Sequence, residues 1–535
     1  MDVLKNSSYG KIDIDMEFKE GGTKGILWSL FCAFFIMLLC SRSSFLYVFN
    51  LWDDANSYFT VGKCIFRGFV PYRDLFDQKG IMLYFIYGLS SLISPTTFRG
   101  VFVFEVIAAF FSLWAILKIY RLFLNPRTSP YILMPITGAV IYSSNNFWWG
   151  GSAEEFLFPF IMWGLYLSVK HFRLERDSLM SYSTVFIGGI LAGCVFNIKF
   201  NSLGFFFGWM AMVFFGDLFA QGAKAVGKAF TSCFVFLFGM LAATLPWIIY
   251  FGVNGAIGDW MYVYIYKNVF EYSKKLTFAE RASAIYEILK DHFFRNEVVF
   301  VLIFIGGVYF IAAAVAFLVR KDEIIMKGRT AVFVPVGIIE LINLGVMFFF
   351  LTLVIFIGGV SLPYYSFPIN AFVLFGFIPF CYIIERFLEQ YVPIAGFSFA
   401  LSMGLIWLLS MNVRVMGLKA EDLWLYKFRD YIVQSGVEHP GIINQFSFDV
   451  GLYTVLDVEP ICYYFQTQTL NMEEVLEYQK QYLHSGEADF VVTSEYEAEG
   501  TGDRYDLVMK ERCEFYNFDQ TYYLYRRNQN PAWEN

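Results

Sequence analysis

The sequence predicts an all-α polytopic membrane protein of about 11 transmembrane helices, followed by a small C-terminal α/β domain. Three observations carry that reading. First, the 535 residues are 57% hydrophobic, 21% aromatic and only 16% charged, against about 25% charged in an ordinary soluble domain. Second, the apolar residues come in blocks rather than amphipathic stripes, most of them near the roughly 20 residues that cross a bilayer. Third, from Arg414 onward the apolar blocks stop and 10 Lys and Arg face 21 Asp and Glu. That acidic tail excludes nucleic acid and an anionic membrane surface as its partners.

Taken in order, the spans fall near 26–49, 99–120, 131–147, 155–170, 183–197, 202–220, 229–252, 297–319, 331–357, 366–385 and 392–413. The run 81–95, IMLYFIYGLSSLISP, is shorter and ends in Pro95, so it reads as an interfacial or half-inserted helix. Short loops rich in Lys and Arg mark the cytoplasmic side. Here they hold Arg121 and Arg127, then Lys170, His171, Arg173 and Arg176, then Lys224 and Lys228, then Arg320, Lys321, Lys327 and Arg329. With these spans all four loops share one face with the N-terminus, whose first 25 residues lack the order of a cleavable signal peptide.

The other face then holds a first outer loop (50–98), the segments 145–154 and 197–201, a long loop (253–296) and the tail. Residues 1–413 form the membrane domain and 414–535 an extracytoplasmic domain. In the tail, GIINQFSFDVGLYTVLD, ADFVVTSEYE and TYYLYRR are strand-like around the helical NMEEVLEYQKQYLHSG, a small α/β pattern. The long loop is rich in Tyr, Phe and Lys and reads either as an amphipathic lid or as a surface loop packed on the tail.

Eight cysteines show no CxxC pair. Cys32, Cys40, Cys194, Cys233 and Cys381 lie in apolar runs, while Cys462 and Cys513 of the tail could form a disulfide on the outer side. Four widely separated histidines exclude a histidine-rich metal site.

The outer side collects the ionisable residues: Asp53, Asp54, Asp77, Lys79, Glu154, Glu155 and Lys199 sit at outer helix ends or in adjoining loops. Taken singly, each is ordinary interfacial charge. Their convergence from separate loops points to a site, because ionisable groups at membrane depth usually pair or line a cavity.

The stretch DDANSYFTVGKCIFRGFVPYRDLFDQKG resembles the first outer loop of GT-C glycosyltransferases of the protein O-mannosyltransferase and aminoarabinose lipid A transferase type. It carries the acidic pair Asp53-Asp54, Tyr58, the turn Gly68-Phe69-Val70-Pro71-Tyr72 and the acidic-x-Lys element Asp77-Gln78-Lys79-Gly80. SSNNFWWGGSAEEFLFPF, FNIKFNSLG and LPYYSFPI at 362–369 are similar to later elements of that family. The chain departs from it in having Lys79-Gly80-Ile81 where Lys-Pro-Pro is frequent, and Asp54 where Glu is common. It also lacks the WWDYG-like motif of the oligosaccharyltransferase branch.

The resemblance implies a membrane glycosyltransferase, a hexosyl- or pentosyltransferase working at the outer face; the brevity of the loops and the uncleaved N-terminus point to a bacterial plasma membrane, with an internal eukaryotic membrane as the alternative. Such an enzyme would move a sugar from a polyprenyl phosphate to a hydroxyl on a cell-envelope glycan, lipid or protein. Such a reaction needs a base, cations for the leaving phosphate and an apolar groove for the lipid. Asp53 is the expected base, and Lys79 and Lys199, with Arg73 a further candidate, are the phosphate partners. Asp54, Tyr58 and Asp77 line the substrate site; Glu154 or Glu155 binds sugar or acceptor. Tyr364 and Tyr365 either reach the phosphate or sugar or belong to an interfacial aromatic belt. A divalent cation, Mg²⁺ or Ca²⁺, is an open alternative for the carboxylates. A single base without a second carboxylate as nucleophile points to direct displacement with inversion. The competing readings are a transporter or flippase for lipid-linked glycans, against which the absence of internal repeats counts, and a non-catalytic assembly factor.

Overall fold

The computed structural model describes residues 14–124, 129–175, 178–319, 336–388, 394–447, 450–467, 472–515 and 518–528. Arg127, Arg176 and the basic loop with Arg320, Lys321, Lys327 and Arg329 fall outside them, as do the side chains of Lys224 and Cys381.

The chain is mostly helical. The first nine helices are α1 Ile14–Cys40, α2 Asp53–Ile65, α3 Ile81–Ile93, α4 Arg99–Phe123, α5 Ser129–Ser143, α6 Ala153–Leu174, α7 Tyr182–Phe196, α8 Gly204–Gln221 and α9 Val226–Val253. The long outer loop forms α10 Ile257–Trp260, a π-helical continuation Met261–Glu271, and α11 Phe278–Arg295. Then come α12 Glu297–Val319, α13 Ile338–Phe356, a 3₁₀ segment Pro363–Phe372 running into α14 Val373–Leu388, and α15 Ile394–Leu409. Five described stretches are long and apolar enough to cross a membrane: Gly22–Cys40, α4, α9, α12 and α13. Shorter apolar helices include α3, α7 and Ala395–Leu409. The first run ends as a helix at Cys40, and residues 41–52 leave it as irregular chain.

The tail folds on a four-stranded sheet, β1 Ile442–Gln445, β2 Phe490–Ser494, β3 Tyr505–Phe515 and β4 Phe518–Arg527, in the order β1-β2-β4-β3. β1 and β2 are parallel, which requires a crossover, and the helix Met472–Ser485 lies between them in sequence. The burial of β2 on both faces explains its continuous apolar run. Trp424 stacks on Tyr522 with ring centroids 3.9 Å apart, fastening the sheet to the segment that leaves the membrane part. Cys462 is a free thiol in an apolar cluster with Ile443, Leu483 and Val491, while Cys513 belongs to a different cluster, so the disulfide between them does not form.

This domain sits directly on the first outer loop. Lys63, 2% exposed, donates to Tyr453 O at 2.7 Å and pairs with Asp457 at 3.1 Å. Arg67 reaches Asp457 and Glu459, each at 2.6 Å. The amide of Phe76 donates to Tyr463 O at 3.0 Å.

Candidate active site

Two aspartates open α2. Trp52 enters in extended conformation and Asp53 and Asp54 occupy the first helical turn, where unpaired amides and the helix dipole favour negative charge. The Asp54 amide donates to Asp53 Oδ1 at 2.9 Å. Asn50 holds this entry in place by donating to Gly150 O of the second outer loop at 3.2 Å.

The stretch after α2 folds back on itself. Tyr72 takes a positive φ of 71°, an uncommon posture for a bulky residue. Its amide bonds Leu75 O at 3.0 Å and its hydroxyl donates to Lys79 O at 2.6 Å. Gly80 then donates to Ile198 O at 3.0 Å, and Met82 to Asn197 O at 2.9 Å. A Cβ on Gly80 would overlap the Asn197 carbonyl. The glycine following Lys79, where the resembled family often has proline, is thus what lets the first loop close onto the end of α7 and sets Lys79 beside Lys199.

The carboxylates and ammonium groups interleave. Asp54 Oδ2 accepts hydroxyls from Tyr364 at 2.6 Å and Tyr58 at 2.8 Å, with Lys79 Nζ at 3.8 Å. Lys199 Nζ lies 2.5 Å from Glu154 Oε1 and 3.6 Å above the Tyr365 ring. Lys79 is 5.4 Å from the Tyr58 ring. Glu154 is 1% exposed, and its second oxygen has no hydrogen-bond partner among the described residues. Asp77, also buried, accepts from the Gln78 amide at 2.6 Å.

These surroundings separate the acids. Burial, and then the neighbouring Asp54 charge, push Asp53 up to about 7 against the pull of amide hydrogen bonds and Lys79. Burial acts on Asp54 in the same sense, but Lys79, the two tyrosine hydroxyls and Lys199 outweigh it and hold Asp54 below the usual carboxylate range. Asp77 is raised to about 6 by burial, with Lys79 opposing. Burial also tends to lower Lys79, yet Asp54 and Asp77 prevail and raise it; Lys199 is lowered, burial outweighing Glu154. Two acids of different protonation thus stand side by side at one mouth.

Asp54, Tyr58, Lys79, Glu154, Lys199, Tyr364 and Tyr365 form this connected set, with Asp53 and Asp77 at its edge. Arg73 and Glu155 do not join it. Arg73 is 41% exposed and committed to Asp74 at 2.8 Å and to Asn254 O at 2.9 Å. Glu155 accepts from the Gly151 amide at 2.7 Å, on the side where Glu105 accepts from Ser41 at 2.7 Å; it braces the second outer loop. Tyr364 and Tyr365 are both buried in the cluster, not spread along an aromatic belt.

Three supporting residues have no marker in the sequence. Tyr272, from the end of the π-helical segment, shares a 2.8 Å hydrogen bond with the Tyr365 hydroxyl. His292 of α11, 1% exposed, bonds Ser361 at 2.6 Å through Nε2 and Ser366 at 2.9 Å through Nδ1. Its imidazole therefore bridges the two ends of the turn that carries Tyr364 and Tyr365. Gln466 of the tail accepts from Ser57 at 2.5 Å, one turn along α2 from Asp53.

No group of three or more His, Cys, Asp or Glu suited to a metal ion occurs among the described residues. Asp54 and Glu154 each pair with a lysine, while Asp77 Oδ2 and Glu154 Oε2 are buried without a hydrogen-bond partner among the described residues.

No protein-family model matches the chain, and no curated protein matches it in sequence. Solved structures do. ArnT from Cupriavidus metallidurans in the apo state superposes with a TM-score of 0.60 at 10% identity, over 95% of this chain and 98% of that one. The same protein bound to undecaprenyl phosphate gives 0.56 at 10% identity, over 94% and 98%. The archaeal oligosaccharyltransferase AglB from Archaeoglobus fulgidus, in complex with an inhibitory peptide and a dolichol-phosphate, aligns over 89% of this chain and 70% of its own with a TM-score of 0.44 and 12% identity. The near end-to-end match with ArnT shows that membrane part and tail together share the fold of that protein.

Proposed function

We propose that this chain is a multi-pass membrane glycosyltransferase that transfers a sugar from a polyprenyl-phosphate donor to a hydroxyl acceptor, with inversion, on the extracytoplasmic side. The reading takes 11 spans, with the short loops basic on the cytoplasmic side. The observation that carries it is the interleaved Asp54–Lys79 and Glu154–Lys199 pairs beneath Tyr364 and Tyr365, at one end of an apolar helical bundle. An ArnT solved with undecaprenyl phosphate in the same fold supports the donor class.

In the reaction, the acceptor oxygen attacks the anomeric carbon from the side opposite the phosphate. Its proton passes to ionised Asp53, a positioned base contributing about 10²- to 10⁴-fold. The bond from the anomeric carbon to the phosphate oxygen breaks, and the phosphate keeps the electron pair. Lys79 and Lys199 meet the charge that grows there, in a site from which water is largely excluded. The unpartnered oxygen of Glu154 is placed to accept a hydrogen bond from a sugar hydroxyl. Asp54, kept anionic, holds Lys79 and the Tyr58 and Tyr364 hydroxyls in position.

The test is sugar transfer or release from a panel of radiolabelled polyprenyl-phosphate sugars by the detergent-solubilised chain and its Asp53→Asn variant. Turnover that vanishes in the variant supports both the reaction class and the base. No turnover with any donor refutes the transferase and leaves a transporter or assembly factor; equal turnover in both proteins moves the base to another carboxylate.

A further inference from the structure

A cleft of about 480 Å³ lies at the far end of α2 from the acid pair, between the first outer loop and the tail. That volume is in the range of small-ligand sites. One wall carries Arg67, Phe69 and Asp74; the other is built from Tyr478 and Tyr482, with Tyr463 between them. Tyr478 and Tyr482 are four residues apart on one helix, so both face the same way, with ring centroids 5.3 Å apart. Both are half-buried, and Tyr478 also packs edge-on against Tyr464 with ring centroids 5.2 Å apart.

The charge of the lining is balanced. Arg67 is held by Asp457 and Glu459, and Asp74 by Arg73. Among the described lining residues no uncommitted cation stands ready for a phosphate, and no unpaired carboxylate for an ammonium. What remains is a pair of half-buried tyrosine rings with hydroxyl edges, opposite the paired side chains of Arg67 and Asp74. A ligand with alternating C–H faces and hydroxyl edges suits such walls; a charged headgroup does not.

The cleft is also tied to the acid site. The tail segment 457–466 runs along α2, with Asp457 paired to Lys63 at one end and Gln466 bonded to Ser57 at the other. Between them Tyr463 donates to Tyr72 O at 3.1 Å. From Asp53 to Ile65 the helix axis covers about 18 Å at 1.5 Å per residue. Residues 55–64 of α2 are buried under these contacts, so the cleft and Asp53 lie at opposite ends of a closed seam.

Resting on the transferase reading, we propose that this cleft binds a neutral oligosaccharide portion of the acceptor, stacked on Tyr478 and Tyr482 and remote from the hydroxyl that reacts. It makes the acceptor a glycan chain of several units, with the tail as its reader.

The test uses the full chain in detergent on a printed array of neutral oligosaccharides of one to eight units, acidic oligosaccharides and peptides. Wild type, Asp53→Asn, Tyr482→Ala and a Tyr478→Ala/Tyr482→Ala double variant are compared, with thermal unfolding to verify folding. Retention of neutral oligosaccharides of three or more units is expected in wild type and Asp53→Asn, with at least a tenfold loss in the double variant and an intermediate loss in Tyr482→Ala. Retention of no neutral glycan, equal retention in the double variant, or preference for peptides or acidic glycans would overturn the proposal. Glycan binding that depends on the tyrosines without donor turnover in any assay would leave the cleft standing while the transferase reading falls.

Discussion

Lowering the pH from 8 to 6 should reduce kcat/KM for sugar transfer by about tenfold. A carboxyl titrating at about 7 is about nine-tenths ionised at pH 8 and about one-tenth at pH 6, and only the ionised form accepts the acceptor's proton. The donor is a phosphodiester with no group titrating in this window. Because the Asp54 charge is the second cause that raises Asp53, Asp54→Asn should move the ascending limb to lower pH. The same substitution frees Lys79 from its partner at 3.8 Å, so its positive charge acts on Asp53 in the same sense. The assay is initial-rate transfer from a labelled polyprenyl-phosphate sugar across pH 5.5 to 8.5, in wild type, Asp54→Asn and Asp53→Asn. The reasoning is refuted by a flat profile, by a limb that Asp54→Asn leaves in place or moves upward, or by a limb that survives in Asp53→Asn.

Lys199→Met should lower the single-turnover rate by about 10²- to 10³-fold, the scale of losing one stabiliser of developing charge, and by more than Glu154→Gln, which keeps the ammonium; the reverse ranking would remove Lys199 from the phosphate. Chelation with EDTA should leave transfer unchanged, since Asp54 and Glu154 are each paired with a lysine; activity lost to EDTA and restored by one divalent cation would contradict this. His292→Ala removes the bonds to the half-buried Ser361 and to Ser366, which keeps only Asn146 at 3.1 Å among the described residues, and loosens the turn bearing Tyr364 and Tyr365. Its kcat should therefore fall while acceptor KM holds, with substantial recovery in His292→Asn or His292→Gln. A variant that melts earlier yet keeps wild-type kcat would make His292 merely structural.

How much of this was legible in the sequence depends on the range of each interaction. The acid pair, Tyr58 and Lys79 lie within 27 residues of one another, and their spacing survives as local structure. The approach of Lys79 to Lys199 was implied by the resemblance that gave both to one phosphate, but the backbone bonds from Gly80 and Met82 to Asn197 and Ile198 that make it were not legible, since no side-chain pattern records them. Glu154 and Glu155 could not be told apart. One helical residue is about 100° of rotation, enough to send Glu154 to Lys199 and Glu155 to the Gly151 amide. Arg73 failed for the opposite reason, since its nearest neighbour in sequence, Asp74, satisfies it at the surface. His292 was invisible because a lone histidine in an aromatic loop carries no spacing signal. The tail's strands showed in their apolar runs, but not its seat on α2, which depends on single contacts such as Lys63–Asp457.

The balance of charge in the site bears on its order of events. Four acids, Asp53, Asp54, Asp77 and Glu154, stand against two lysines, Lys79 and Lys199. Two of those acids, Asp53 and Asp77, are pushed up to about 7 and about 6, which relieves part of the excess by protonation. A phosphate entering between the lysines adds negative charge and draws the ammonium groups away from the carboxylates. Each effect raises Asp53 further, strengthening it as a base once the donor is in place. Since kcat/KM reports the free enzyme and kcat the complex, the ascending limb of kcat should lie at higher pH than that of kcat/KM. Coincident limbs would show that the donor phosphate does not bind within electrostatic reach of Asp53, and Lys79 and Lys199 would then have to serve something other than the leaving group.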